Sequence, residues 1–171
     1  MRHWTLSAAI GAAILFPSSG SASPAQGVVS GSYVLDRKQS DDAFQAIETA
    51  IAGLSDANRP RARKRLRKSI ATDRIRISST AGRFSIKYDA KAPIVVWING
   101  DPIKWELVES LVFDVSAKAN GKAVSLTFRG DDSERTTVYR SVGQQLVEET
   151  TIISPLLSTP IGYKLVYNRA N

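Results

Sequence analysis

Seven of the ten residues from Arg59 to Lys68 are cationic: Arg59, Arg61, Arg63, Lys64, Arg65, Arg67 and Lys68. None of the ten is acidic. The chain carries 23 Lys and Arg against 16 Asp and Glu, and setting aside Arg2 and these seven leaves 15 cations against the 16 anions. The positive excess therefore sits in one stretch, and charge so concentrated calls for an anionic partner. The carboxylates offer less. Asp131, Asp132 and Glu134 cluster at a turn, where they could meet a hard cation such as calcium. A hairpin tip is acidic for solubility alone, so no metal is expected there. Glu148 and Glu149 are strand neighbours that point to opposite faces, so they cannot form a two-carboxylate catalytic pair. Whichever points inward needs a partner, and Arg140 is the candidate. His3 is the only histidine and there is no cysteine. Histidine-dependent serine and cysteine catalysis, and the usual zinc and copper sites, are thereby removed. No catalytic residue and no cofactor are expected.

The N-terminus sets the compartment. Met1 to Trp4 form a short positive head, Leu6 to Phe16 is apolar and uncharged, and Gly20 and Ala22 lie in a small-residue cleavage region. The apolar run is shorter than the ~20 residues that span a bilayer. Residues 1–22 are read as a signal peptide, which makes the mature chain periplasmic or secreted. Without cysteine, an exported domain is held by its core alone. Residues 23–171 have the length of one domain.

The basic stretch must be positioned by the elements around it. Val28 to Asp36 alternates as a first strand. Ser40 to Leu54 reads as a helix, capped by Ser40 or Asp41, with Phe44, Ile47, Ile51 and Leu54 as its apolar stripe. A second helix starts near Pro60, which suits the first helical position, and runs to about Ile70. Its apolar side is only Ala62, Leu66 and Ile70, so it is read as a lid resting on something, with the pair of helices covering 40–71. From Thr72 onward the pattern is strand, turn, strand. Phe84, Ile86 and Tyr88 alternate with Arg83, Ser85 and Lys87, and Asn99-Gly100 and Asn120-Gly121 are hairpin signals. Nine strands follow the helices. The fold class is mainly β: an antiparallel up-and-down barrel of about ten strands, with a two-helix insertion between the first and second. Pairing the first strand with the last removes both free edges, and the apolar faces then point inward.

One strand, two helices and nine antiparallel strands resemble the layout of the fatty-acid-binding branch of the calycins. The first strand also resembles that of lipocalins, with Gly31-Ser32-Tyr33 standing where they have Gly-x-Trp. Arg169, which follows Tyr163-Lys164-Leu165-Val166-Tyr167, corresponds to their barrel-sealing arginine. The resemblance implies barrel closure by Tyr33 and Arg169, with the guanidinium over the phenol ring. The Arg-x-Tyr carboxylate clamp of the fatty-acid-binding proteins has no match here, so their head-group recognition does not transfer.

The functional expectation is an exported binding protein that holds or carries a small hydrophobic ligand, a fatty acid or anionic lipid, in the barrel cavity. Phe84, Tyr88, Trp105, Phe113 and Phe128 would line that cavity. Arg61, Arg63, Lys64, Arg65, Arg67 and Lys68 would face an anionic membrane surface. Nucleic acid is not expected as a partner, because the basic stretch lacks interleaved aromatics and the chain is exported. The alternative is a periplasmic structural, protein-interaction or inhibitor module with a packed barrel and no ligand. An outer-membrane barrel needs strands of ~9–11 residues, longer than most here.

Overall fold

The computed structural model describes residues 28–70, 73–80, 82–89, 91–108 and 111–170. The expected signal peptide over 1–22 and the linker after it lie outside the described residues. The elements follow the order β1 (Gly31–Leu35), α1 (Ala43–Ile51), α2 (Arg59–Ser69), β2 (Arg74–Thr80), β3 (Arg83–Tyr88), β4 (Ile94–Trp97), β5 (Ile103–Val108), β6 (Leu111–Asn120), β7 (Ala123–Arg129), β8 (Glu134–Val142), β9 (Gln145–Ile153) and β10 (Ile161–Arg169). The ten strands form one antiparallel sheet in the order β4-β3-β2-β1-β10-β9-β8-β7-β6-β5. The protein is a mainly-β, nearly closed barrel with two helices between its first and second strands.

Period-two alternation builds the interior. In β2, Ile75 and Ile77 are buried while Arg74 and Arg76 are exposed; in β3, Phe84, Ile86 and Tyr88 are buried between exposed Arg83 and Lys87. The first and last strands pair as expected, with Tyr33 opposite Arg169. This does not abolish the edges, because the open seam lies elsewhere. β4 and β5 follow one another in sequence yet end the sheet on opposite sides. Asn99-Gly100 does turn the chain: Asn99 takes φ 60° and the Gly100 N–H donates to the Trp97 carbonyl at 3.2 Å. It does not make a hairpin. Ile98 bridges Ala117 in parallel, and the Asn99 N–H donates to the Ala117 carbonyl at 2.8 Å. The exit of β4 is thus tied to β6, which leaves β5 beyond reach of a β4 ladder.

The start of α1 differs from its sequence reading. Asp42 is the cap, accepting the Gln45 N–H at 3.0 Å. Ser40 and Asp41 are drawn instead to β10, accepting the N–H groups of Val166 at 2.9 Å and Lys164 at 2.7 Å. Phe44 does not join the buried stripe: Ala43, Ile47, Ala50 and Ile51 are buried, while the Phe44 ring is exposed beneath the Arg67 guanidinium, 5.2 Å away.

Candidate functional site

Helix α2 has no buried residue. Its narrow apolar side gives it little to bury, so it roofs the barrel end instead of plugging it. The roof is pinned by polar contacts. Glu48 of α1 accepts two bonds from the Arg63 Nε, at 2.8 and 3.0 Å, and one each from the terminal nitrogens of Arg63 and Arg67 at 2.7 and 2.9 Å. These partners, Arg63 foremost, hold the Glu48 carboxyl below its usual range. Arg65 pairs with Asp132 of the β7–β8 turn at 3.3 Å, and Lys91 donates to the Lys68 carbonyl at 3.0 Å. Arg59 pairs with Asp56 at 3.1 Å and donates to the carbonyls of Ala52 and Leu54. Of the six cations expected to face an anionic surface, Arg63, Arg65 and Arg67 are engaged internally. Arg61, Lys64 and Lys68 have no ion pair among the described residues.

Beneath this roof lies a cavity of about 320 Å³. The helical side supplies Leu54, Ala62 and Leu66, and the strands supply Trp105, Phe113 and Phe128. Three of the five aromatics expected at a ligand site are therefore brought together. Phe84 and Tyr88 are not among the cavity's walls. Phe84 is fully buried with its ring 5.8 Å from that of Tyr139, and the Tyr88 hydroxyl is hydrogen-bonded to the Tyr139 hydroxyl.

Arg135, at the start of β8, reaches the cavity from below. Its side chain is 12% exposed. Nη1 donates to the Ser69 carbonyl at the end of α2, Nε donates to Thr137 Oγ1 at 3.0 Å, and the guanidinium lies 5.0 Å from the centre of the Phe128 ring. Nη2 has no hydrogen-bond partner among the described residues, although it lies 3.8 Å from Glu148 Oε1. Trp105, which lines the same cavity, has its Nε1 buried and also without a hydrogen-bond partner among the described residues. Buried donors left without a hydrogen bond are costly, and the two residues that carry these donors share one cavity.

Glu148 is the inward member of its pair, and its partner is Arg135 rather than Arg140. Strand parity explains this. Arg135 shares a face with Thr137 and Tyr139, which point in, whereas Arg140 points out and pairs with Glu149. Glu148 has no exposure and accepts from Thr150 at 3.2 Å and from Tyr167 at 3.4 Å. Burial holds its carboxyl above the ordinary range against the opposing pull of Arg135, Thr150 and Tyr167. The same parity was the available signal for Arg135: two positions before Thr137 and four before Tyr139, it could only face the interior.

At the barrel seam, Tyr33 is buried and donates to the Val29 carbonyl at 2.7 Å, while Arg169 donates to the Ser30 carbonyl at 3.2 Å. Both flank Gly31, where an added Cβ would lie 3.4 Å from the Tyr33 ring and 3.5 Å from Arg169 Nε. The cation–π pairs found among the described residues, Arg67–Phe44 and Arg135–Phe128, lie elsewhere. In the acidic turn, Asp132 is taken by Arg65 and Glu134 by Arg129 at 2.7 Å.

No family model matches the chain, and no curated protein matches it. Solved structures do. A Schistosoma mansoni fatty acid binding protein in complex with arachidonic acid is similar with a TM-score of 0.57 and 11% identity, over 86% of this chain and 99% of that one. A secretory abundant heat soluble protein from Ramazzottius varieornatus gives 0.58 and 11%, over 86% and 100%. Human cRBP IV gives 0.56 and 15%, over 83% and 98%. A nearly closed antiparallel barrel of ten strands is the fold that this chain shares with these fatty-acid-binding, calycin-type structures.

Proposed function

We propose that this chain is an exported, non-enzymatic carrier that holds a small hydrophobic molecule with an acidic head, a fatty acid or anionic lipid, beneath α2. The observation that carries the reading is the mostly apolar cavity of about 320 Å³ whose walls include Arg135 and Trp105, each with a buried N–H that lacks a hydrogen-bond partner among the described residues. Its volume is at the small end of the ~300–1,000 Å³ usual for ligand sites. A carboxylate there would accept from both donors, and its chain would lie against Leu54, Leu66 and Phe113. The similarity to a fatty acid binding protein solved with arachidonic acid supports the same ligand class. Arg61, Lys64 and Lys68, on the roof, would turn toward anionic surfaces. The filled lower interior favours the rival reading, a packed interaction module, in which no ligand enters.

The test is titration with a fluorescent fatty acid, displaced in turn by an unlabelled acid and by the alcohol of the same chain. Wild-type protein should prefer the acid by about tenfold or more, the scale of a charge-assisted bond. Arg135→Gln should remove that preference while leaving the alcohol's affinity. Equal affinities for acid and alcohol, or no displacement, would discard the reading.

A further inference from the structure

The outer face of β2, β3 and β4 carries a second concentration of positive charge, which the run-based reading of the chain does not reveal. Its outward positions are Arg74, Arg76, Ser78 and Thr80 on β2, Arg83, Ser85 and Lys87 on β3, and Val95 and Trp97 on β4. Four are cations and none is a carboxylate. The register places Arg76 directly opposite Lys87, and Arg83 between Thr80 and Trp97. Like charges directly opposed across a ladder are destabilising. Arg76 reaches only Ser32 Oγ, at 3.4 Å, and Arg76, Arg83 and Lys87 form no ion pair among the described residues. Of the nearby carboxylates, Asp73 is engaged by Arg37 and Asp89 sits at the β3–β4 turn. The other flank is built differently: Lys104 pairs with Asp114 at 2.7 Å, Arg129 with Glu134 at 2.7 Å, and Arg140 with Glu149.

At the end of this face farthest from α2 stands Trp97, 62% exposed. Gly100 makes room for it, and Gly82 lies alongside. A Cβ on Gly100 would come within 2.7 Å of Trp97 Cβ, and one on Gly82 would lie 3.9 Å from the indole. An exposed indole in a cationic field has the chemistry of an interfacial anchor, since Trp settles at the headgroup level of bilayers. A nucleic-acid groove would instead offer several aromatics for successive bases. This flank has one. Val34, on the neighbouring strand, extends the face with a further exposed apolar side chain.

We infer that the β2–β3–β4 flank is a docking surface for an anionic phospholipid bilayer, with Arg76, Arg83 and Lys87 over the head groups and Trp97 in the interface. The barrel then lies on its side, and the end roofed by α2 sits at the rim of the contact. This surface is separate from the cations of α2 and does not depend on the cavity holding a ligand.

The test is flotation of the full chain with vesicles of phosphatidylglycerol and phosphatidylethanolamine, against vesicles of phosphatidylcholine alone. Three variants are compared: Arg76→Gln/Arg83→Gln/Lys87→Gln, Trp97→Ala, and the roof variant Arg61→Gln/Lys64→Gln/Lys68→Gln. Wild-type protein should bind the anionic vesicles alone and release in high salt. The flank triple variant should lose about a hundredfold in affinity, at about fivefold per surface cation. Trp97→Ala should lose severalfold, and brominated lipid should quench wild-type fluorescence more than that of Trp97→Phe. All substituted side chains are exposed, and removing the Arg76–Lys87 repulsion should raise the melting temperature of the flank variant slightly. That check separates lost binding from lost folding. Wild-type-like binding by the flank variant, loss confined to the roof variant, absence of vesicle binding, or tighter binding to a single-stranded oligonucleotide than to anionic vesicles would each overturn the inference.

Discussion

The two ends of the barrel interior obey the same alternation and come out differently. Far from the helices, Phe84, Val124, Tyr139 and Leu146 are all at most 1% exposed, and the Phe84 and Tyr139 rings meet at 5.8 Å. Under α2, Trp105, Phe113 and Phe128 surround open volume, with the buried guanidinium of Arg135 below. The difference lies in what closes each end. At the far end, large side chains from opposite walls fill the taper. At the near end the cover is a helix that offers the cavity only Ala62 and Leu66 as apolar side chains, and its cations Arg63 and Arg65 are held by Glu48 and Asp132. A cover that contributes no buried side chain leaves the end hollow.

Truncating one aromatic at each end tests this contrast most directly. Phe84→Ala should cost about 3–5 kcal/mol in urea unfolding, because it opens a void in a packed region. Phe113→Ala should cost about 1–2 kcal/mol, since its ring is half-buried and already borders empty space. Equal losses would show that the near end is as tightly packed as the far one.

A second measurement sharpens the role of the polar groups between the two ends. The unfolded chain ionises Glu148 near the ordinary value of about 4.3, while burial keeps its proton on in the folded barrel to higher pH. The stability contributed by the protonated form is present below the unfolded value and is lost as pH rises through the folded one. Glu148→Gln should therefore lose less stability than wild type on going from pH 4 to neutral. An unchanged slope would mean that Glu148 is ionised and fully compensated by Arg135. The smallest effect belongs to the outer surface. Arg140→Ala removes a half-exposed pair with Glu149 and should shift stability by no more than about 1 kcal/mol.

The strand count, the two-helix insertion and the Tyr33–Arg169 register were legible because side-chain direction in a strand depends only on parity. Arg135 was legible by the same rule but is masked by its type, since arginine reads as an outward residue. The seam between β4 and β5 was not legible: Asn99-Gly100 carries the same local hairpin signal as Asn120-Gly121, which does join β6 to β7, and at the former a distant acceptor, the Ala117 carbonyl, decides where the strand goes. The flank charge was hidden because Arg76, Arg83 and Lys87 are scattered in sequence and become neighbours only through the ladder. Fill, unlike facing, depends on what each cover inserts, and no periodicity records it.

The open seam also fixes where the polypeptide could be rewired. Val28 and Ala170 flank the adjacent strands β1 and β10, and the Ala170 N–H donates to the Ser32 carbonyl. A circular permutant joined there and cut between Asn99 and Asp101 would run β5 to β10, then β1, the helices, and β2 to β4. Each strand of the sheet would then pair only with its neighbours in the chain, and the longest-range closure would become a local connection. Folding rate rises as mean contact separation falls, so such a permutant would reach the same barrel faster than the natural order does.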